Sequence, residues 1–420
     1  MMNTPPVDEA LPSTGAARVR RRHVLYLSGF DPQGPGHYHA LYAQQAALQA
    51  QVIGCRIDVG ARERAGENAA WNVRWVGQEG AVPVDTRYEF LRWDDIVRQH
   101  WPRGQWRLLQ VTLSTTARMV ANGSLWRIWQ TSWPAFVALA APAGLIGVVA
   151  LVVAGILLAA SGLWLVGHPA LAITSTVMFG VFLFVFARRA QAKVQMAWLM
   201  RSASVILRQG RGQLPALEQR LDAFAARLIE LGADPGIDEV LLVGHSSGAM
   251  LAASVAARAL ARDPSLFGPG GRVTLLTLGQ CIPVLSYQPE AVAFRRELAG
   301  LRAASDLVWV DMTAPPDGCC FALMDPTEVC QDNLPDAERS KGGPKRLSPR
   351  FAQSFSPERY RRIRRDKYRC HFQYLMATER PAAYDYFSVT AGPLRLTDRY
   401  ALQPSVTGFR EFQCFGGPRR

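Results

Sequence analysis

The chain has 420 residues, 47 of them basic and 34 acidic, with a formal charge of +13, a mean hydropathy of +0.01 and 7 cysteines. This length and a hydrophobic content of 49% are sufficient for a large buried core, which excludes collagen-like, disordered and small disulfide-framework proteins. The odd number of cysteines, spread along the chain without a Cys-x-x-Cys pair, favours a reduced, cytosolic environment.

The N-terminal third predicts a tail followed by strands and helices. Residues 1–22 end in several arginines that no apolar signal-peptide region follows, so we expect a disordered tail and no signal peptide. Residues 23–28 predict a buried strand and residues 37–51 a helix. Three β-rich runs follow, at residues 52–59, 71–76 and 84–93. Residues 23–127 are interpreted as the first part of one domain.

A long apolar segment then interrupts the pattern. Residues 128–187 contain no Asp, Glu, Lys or Arg, and two stretches within them, 135–158 and 170–187, are each long enough to cross a hydrocarbon core about 30 Å thick. Helices buried in a soluble core seldom lack charges over such a length. We therefore predict a transmembrane helical hairpin over residues 128–190, which makes the lipid bilayer a partner of this protein.

The flanks of this segment predict its orientation. Arg107, Arg118 and Arg127 precede it and Arg188 and Arg189 follow it, whereas the connection between its two helices carries no fixed charge. Cytoplasmic segments close to membrane spans are enriched in Lys and Arg. The interpretation is an integral protein of the cytoplasmic membrane with both flanks, and the domain they belong to, on the cytoplasmic side.

Alternating helices and apolar strands resume after the hairpin. Leucines and a phenylalanine spaced by three and four residues predict a helix from 214 to 231. Strands are expected at 239–243, 272–278 and 307–312, and helices at 249–261 and 289–300. This alternation is typical of an α/β protein whose mostly parallel sheet is covered by helices on both faces. Residues 191–400 are interpreted as the second part of the domain and residues 401–420 as a C-terminal tail.

The most informative motif lies between a predicted strand and a predicted helix. It reads Gly244-His245-Ser246-Ser247-Gly248, a Gly-x-Ser-x-Gly sequence in which glycines let the backbone pass closely on either side of an exposed serine. The following helix N-terminus would place N–H groups where an oxyanion forms. With its strand and helix, this motif resembles the nucleophile elbow of the α/β-hydrolase superfamily, more particularly its lipase and esterase members.

This resemblance implies a catalytic acid and a histidine downstream of Ser246. His371 is the only histidine after Ser246 and becomes the candidate base. The acid is expected in a loop at the end of a later strand, where Asp317 lies, while Asp311 and Asp325 remain alternatives. The predicted fold is thus α/β-hydrolase-like, with the transmembrane hairpin inserted before the nucleophile strand.

A second oxyanion donor is expected in the loop after the first strand. Ser28-Gly29-Phe30 occupies that position, and the N–H of Phe30 would pair with that of Ser247 around the substrate oxygen. His37 and His39, further along this loop, are candidates for lining the pocket, although capping or surface roles are also open. We expect no metal and no cofactor.

Most of the positive charge is confined to one segment. Residues 339–369 contain 12 Lys and Arg against Glu358 and Asp366. A strip of this kind is more typical of a solvated or membrane-facing surface than of a base-reading module, and the chain has no zinc-finger, RRM or KH signature. We expect no nucleic-acid partner.

These observations together predict a membrane-anchored serine hydrolase. It would cleave carboxylic esters, lipid-like ones in view of the anchor, through an acyl-enzyme intermediate. An acyltransferase or thioesterase with the same triad and an inactive scaffold with a hydrolase fold remain alternatives. The oligomeric state and the natural substrate are left open.

Overall fold

A computed structural model describes residues 19–77, 82–194, 196–268, 271–330 and 342–406. The strands in these residues are β1 (Arg21–Leu27), β2 (Arg56–Val59), β3 (Glu63–Ala65), β4 (Asn68–Val76), β5 (Val84–Phe90), β6 (Glu239–His245), β7 (Val273–Leu278), β8 (Trp309–Met312) and β9 (Lys345–Leu347). The helices that precede β6 are α1 (Pro35–Ile53), α2 (Asp94–Gln99), α3 (Gln105–Ala121), α4 (Ser124–Thr131), α5 (Trp133–Leu165), α6 (Pro169–Val194), α7 (Met196–Gly210) and α8 (Pro215–Ala233). Those that follow it are α9 (Ser247–Arg262), α10 (Ile282–Ser286), α11 (Val292–Ala303), α12 (Phe351–Ser354), α13 (Pro357–Arg365), α14 (Lys367–Phe372), α15 (Tyr386–Ala391) and α16 (Leu396–Arg399).

The described strands form one mixed sheet in the order β2–β4–β5–β1–β6–β7–β8–β9, with β3 paired to β4. The strands from β5 to β9 in this order are parallel, whereas β2, β3 and β4 pair antiparallel at one side. In the central pair, Leu27 at the end of β1 lies opposite Gly244 of β6. The loops that follow these two strands therefore emerge side by side.

Apolar side chains cover both faces of this sheet. Leu25 and Leu242 pack on one face with residues of α8, α9 and α11. Tyr26 and Val243 pack on the opposite face with α1 and with the helices near the C-terminus. A strand that is buried on both faces needs a continuous apolar sequence, which explains why short apolar runs in the sequence predict these strands. The predicted α/β class, a mostly parallel sheet flanked by helices, is confirmed.

The two central strands lead into helices on opposite faces. β1 is followed by α1 on one face, and β6 by α9 on the other. In open α/β sheets a crevice forms at the carboxyl ends of the strands where the connections diverge in this way, and ligands bind there. The loop at Gly29 and the turn at Ser246 both lie at this point.

Two helices are long and apolar enough to cross a membrane. They are Trp133–Leu165, with a mean hydropathy of 2.7, and Pro169–Phe186, with 2.1. Only 0% and 6% of their apolar windows are buried, which distinguishes them from core helices of a soluble domain. Side chains such as Leu151 and Leu158 expose 75% and 77% of their surface. So large an exposed apolar surface is typical of a membrane or protein contact.

Several element boundaries differ from those predicted. Val19 is buried and β1 begins at Arg21, so the ordered chain starts before the predicted boundary at residue 23, while residues 1–18 of the predicted tail lie outside the described residues. At the other end, the N–H of Val406 donates to the oxygen of Arg346 in the β9 strand. The domain therefore continues beyond residue 400, and residues 407–420 of the predicted tail are not described.

Candidate active site

Ser246 occupies a strained turn between β6 and α9. Its backbone angles are φ 59° and ψ −125°, a region that residues with a side chain rarely adopt, and its N–H donates to the oxygen of Leu278. A Cβ atom at Gly244 would lie 2.5 Å from the oxygen of Gly248, and one at Gly248 would lie 2.2 Å from the oxygen of Leu27. The two glycines are therefore required by the close approach of backbone around the serine.

His371 and Asp317 form a buried pair at the carboxyl end of the sheet. Nδ1 of His371 lies 2.8 Å from Oδ2 of Asp317, and neither side chain has any exposed surface. A carboxylate accepts hydrogen bonds only, so the hydrogen is assigned to Nδ1 and a neutral imidazole carries its lone pair on Nε2. This is the tautomer that a general base requires.

The carboxylate of Asp317 is held by two further donors. The N–H of Cys319 donates to Oδ1 at 3.0 Å, and the hydroxyl of Tyr374 donates to Oδ2 at 3.2 Å. Burial by itself would raise the pKa of Asp317, but its electrostatic interaction with His371 and the hydrogen bonds from His371, Cys319 and Tyr374 hold the pKa below its ordinary value. Asp317 is therefore an ionised, oriented acid beside the imidazole.

The two alternative acids have other partners. Asp311 lies within β8, where its Oδ1 accepts a hydrogen bond of 2.6 Å from the hydroxyl of Thr277. Asp325 pairs with Arg302 at 2.9 Å. Of the three candidates, Asp317 is the one that the structure brings to His371.

His245, the residue before Ser246, connects the elbow to the base. Its Nε2 lies 2.9 Å from the backbone oxygen of His371, and the two rings are 4.9 Å apart between centroids. Burial, followed by the proximity of His371, lowers the pKa of His245 to about 3, so this imidazole stays neutral. The side chain therefore serves as an uncharged donor that fixes α14 against the end of β6.

No hydrogen bond joins the hydroxyl of Ser246 to His371. Nε2 of His371 is buried and has no hydrogen-bond partner among the described residues. The cavity that Ser246 lines also includes Gly318 and Cys319, directly after Asp317, and Trp198, whose ring lies 5.7 Å from that of His371. Catalytic hydrogen bonds are often long in ligand-free sites and shorten when substrate binds.

The two predicted oxyanion donors, the N–H groups of Phe30 and Ser247, belong to residues that are adjacent in the fold, but the N–H of Phe30 already makes a hydrogen bond. The N–H of Phe30 donates to the hydroxyl of Ser247 at 2.7 Å, so in this conformation it is not free for a substrate oxygen. The N–H of Ser247 begins α9 and belongs to the helix N-terminal groups that lack intrahelical partners. Binding of an oxyanion between them requires the Ser247 side chain to rotate away.

His37 and His39 do not join this site. His37 is exposed and contacts the edge of the Tyr38 ring. Nε2 of His39 lies 2.9 Å from the oxygen of Gly60. Neither histidine is among the residues that line the cavity beside Ser246, and these contacts agree with the alternative capping or surface roles.

The cavity beside Ser246 is narrow and mostly apolar. Its volume is about 30 Å³, close to that of one water molecule, and Ser246 exposes 6% of its surface. The lining comes from α5, which is the first helix of the hairpin, from α7, and from α10 and the loops of the sheet: Ala135, Ala138, Leu139, Trp198, Leu199, Ser202, Ala203, Ile206, Ser246, Cys281, Val284, Gly318, Cys319 and Phe321. A ligand much larger than a water molecule requires this lining to move.

Sequence reasoning missed Trp198 and Tyr374 as parts of this site. The indole of Trp198 donates to the backbone oxygen of Phe30 at 2.6 Å and also contacts Tyr368. Trp198 shortly follows the apolar hairpin, and no motif in the sequence links it to Ser246. Tyr374 lies three residues after His371. The identification of His371 and Asp317 as an acid–base pair gives no reason to expect a tyrosine at this position.

One group of side chains here has the spacing of metal ligands. The ligand atoms of Asp317, Cys319 and His371 lie within 4.8 Å of one another. However, burial raises the pKa of the Cys319 thiol well above its ordinary value, and metals bind the thiolate. The direct bond between Asp317 and His371 already uses two of the three groups, so the residues fit an acid–base pair better than a metal site.

Comparison with known proteins identifies no relative: no family model, curated protein or solved structure matches this chain.

Proposed function

We propose that this protein is a membrane-anchored serine hydrolase that cleaves carboxylic esters. The observation that carries this proposal is the buried 2.8 Å pair of His371 and Asp317, next to a serine on a strained strand-to-helix turn. The second imidazole nitrogen of His371 has no hydrogen-bond partner in the part of the chain that the structure describes. The chain order of serine, acid and histidine agrees with that of α/β hydrolases. The sheet with its central crevice supports the same assignment.

The reaction would proceed in two steps. Oγ of Ser246 attacks the ester carbonyl while Nε2 of His371 takes its proton, and the carbonyl oxygen becomes an oxyanion near the N–H groups of Ser247 and Phe30. Collapse of this intermediate expels the alcohol, which takes the proton from His371. Water then attacks the acyl enzyme by the same route, releasing the carboxylic acid. Asp317 orients the imidazole and stabilises its cationic form.

The anchor suggests the substrate class. We propose that α5 and the apolar part of α6 cross the cytoplasmic membrane and that the arginines flanking them keep the catalytic domain on the cytoplasmic side. Residues of α5 line the cavity beside Ser246, and the same helix continues as the apolar span. Esters that partition into the bilayer would be concentrated next to this cavity, which favours lipid-like substrates.

Hydrolysis of p-nitrophenyl esters of increasing acyl length tests the proposal. We expect detergent-solubilised wild type to be active and Ser246→Ala and His371→Ala each to lose at least about 1,000-fold in kcat, because members of a triad act as a unit. His39→Ala is the matched control and should retain activity. A folded wild type without activity towards any of these esters would contradict the proposal.

The anchor is tested separately. After high-speed sedimentation and alkaline carbonate washing, the full-length protein should stay in the membrane pellet. Recovery in the supernatant would contradict the membrane assignment, and reporter fusions that place residue 18 on the outer face would contradict the orientation.

A further inference from the structure

Arg201 lies beside the candidate site on α7. Its guanidinium carbon is 4.5 Å from the centre of the Trp101 ring, which in turn stacks on Phe30 with centroids 5.7 Å apart. The next residue along α7, Ser202, lines the cavity of Ser246, and Trp198 is one turn earlier. Arg201 therefore flanks the loop that carries the predicted oxyanion donor.

The charge of Arg201 is unpaired within the described part of the chain. The side chain is partly buried, its Nε is buried without a hydrogen-bond partner, and no carboxylate of the described residues forms an ion pair with it. Arg22 and Arg258, by contrast, bind carboxylates, Arg22 with Glu239 at 2.7 Å and Arg258 with Glu297 at 3.0 Å. Stacking on Trp101 offsets only part of the cost of removing a cation from water.

A ligand anion would complete this arrangement. Burial lowers the pKa of Arg201, yet guanidinium groups remain charged at physiological pH, so the site stays cationic. The planar guanidinium presents donors in a geometry that matches phosphate oxygens. Phosphate is also the anion that a bilayer surface presents, and α7 directly follows the second apolar helix.

We propose that Arg201 binds the phosphate group of a lipid-like ester whose acyl carbonyl reaches Ser246. The substrate class is then an acyl ester that carries a phosphate on its alcohol portion. The hydrolytic part of this inference rests on the proposed function, whereas the phosphate site does not. The two can therefore fail separately.

Two substrates with the same acyl group test the specificity. Wild type should show a kcat/KM for 1-decanoylglycerol 3-phosphate about 10- to 100-fold above that for 1-decanoylglycerol, the range given by hydrogen bonds to charged groups. Arg201→Gln should abolish this preference by lowering kcat/KM for the phosphate ester far more than for the neutral ester. Arg208→Gln, the same substitution two turns along α7, is the control and should keep the preference. Equal rates for both esters in wild type, or equal losses for both in Arg201→Gln, would overturn the proposal.

A binding measurement on the Ser246→Ala protein decides the phosphate site independently of catalysis. In a nonionic detergent, dodecyl phosphate should raise the thermal midpoint while dodecanol does not, and adding Arg201→Gln should remove the effect. Stabilisation by inorganic phosphate as well would assign a site open to free phosphate, whereas stabilisation by dodecyl phosphate alone would assign phosphate carried on an amphiphile. No stabilisation by either compound would overturn the site, and stabilisation without any esterase activity in wild type would contradict only the proposed function.

Discussion

Nε2 of His245 lies 2.9 Å from the backbone oxygen of His371, so the residue that precedes the candidate nucleophile holds the helix that carries the candidate base. This contact joins residues 126 positions apart in the sequence. It links the end of β6 to α14, at the point where proton transfer is expected. Together with the bond between Asp317 and His371, this hydrogen bond from an uncharged ring fixes the imidazole relative to the serine.

Removal of this hydrogen bond should impair catalysis more than folding. We expect His245→Phe, which keeps a ring but lacks the donor, to lower kcat by about 100-fold, the loss associated with a misplacement of about 1 Å. His245→Gln, which retains a donor, should recover part of the activity. The measurement is ester hydrolysis combined with circular dichroism. Unchanged kcat in His245→Phe would show that the contact does not position the base.

Tyr374 should stabilise both the fold and the acid. Its hydroxyl donates to Asp317 and accepts from the N–H of Ala314 at 2.8 Å, so Tyr374→Phe leaves a buried N–H unsatisfied and removes one donor from the carboxylate. We expect a loss of about 1–3 kcal/mol in the free energy of unfolding together with reduced kcat. Tyr400→Phe is the control, because the buried hydroxyl of Tyr400 has no partner among the described residues. Equal stability of the two variants in denaturant titrations would contradict this account.

Asp311 should make stability depend on pH. Burial, followed by the charge of Asp325, raises its pKa from 3.8 to about 7, although a hydrogen bond from Thr277 lowers it. The folded state therefore holds this proton more tightly than the unfolded state, and the resulting stabilisation is present below about pH 4 and is lost as the pH rises to about 7.

Asp311→Asn removes this titration. Relative to the variant, the free energy of unfolding of wild type should fall by up to roughly 1.4 kcal/mol per pH unit between about pH 4 and about pH 7. Above about pH 7 the difference between the two proteins should stay constant. Thermal midpoints in detergent from pH 4 to pH 9 measure the difference. A constant difference across this range would show that Asp311 does not ionise with the raised pKa.

The glycines of the elbow should tolerate no side chain. Gly248→Ala places a Cβ against the backbone oxygen of Leu27, and backbone cannot move aside as a flexible side chain can. We expect destabilisation of at least about 1–3 kcal/mol and loss of activity. Gly36→Ala, near the start of α1 where a Cβ meets nothing within 4 Å, should be neutral or slightly stabilising. Full activity in Gly248→Ala would contradict the geometry of the turn.

The elements of the fold that could be predicted from the sequence are those that a continuous stretch of residues determines. The strand, turn and helix around Ser246 follow each other within about 25 residues, and the buried parallel strands are continuous apolar runs. The β-rich runs predicted at 52–59 and 71–76 correspond to β2 and β4, but their antiparallel pairing and the short strands β3 and β9 were not predicted, because short or partly exposed strands carry weak patterns.

The site itself depends on packing between distant segments. The choice of Asp317 from three aspartates came from its expected place in a loop after a strand, whereas its bonds with His371 and Tyr374 appear only in the folded chain. The bond from Phe30 to the hydroxyl of Ser247 is likewise a consequence of β1 and β6 lying side by side. No local sequence pattern indicates that the hydroxyl of Ser247 would accept a hydrogen bond from the N–H of Phe30, the group predicted to bind the oxyanion.

Covalent labelling with a fluorophosphonate probe, followed by mass spectrometric mapping of the modified peptide, tests the central claim most directly. The phosphonyl group should attach to Oγ of Ser246 with loss of fluoride, labelling should disappear in Ser246→Ala, and it should be strongly slowed in His371→Ala and Asp317→Ala. Ser247→Ala should still be labelled, because its hydroxyl is not the nucleophile. A folded wild-type protein that takes up no probe, or takes it up at another residue, would contradict the assignment of Ser246 as an activated serine.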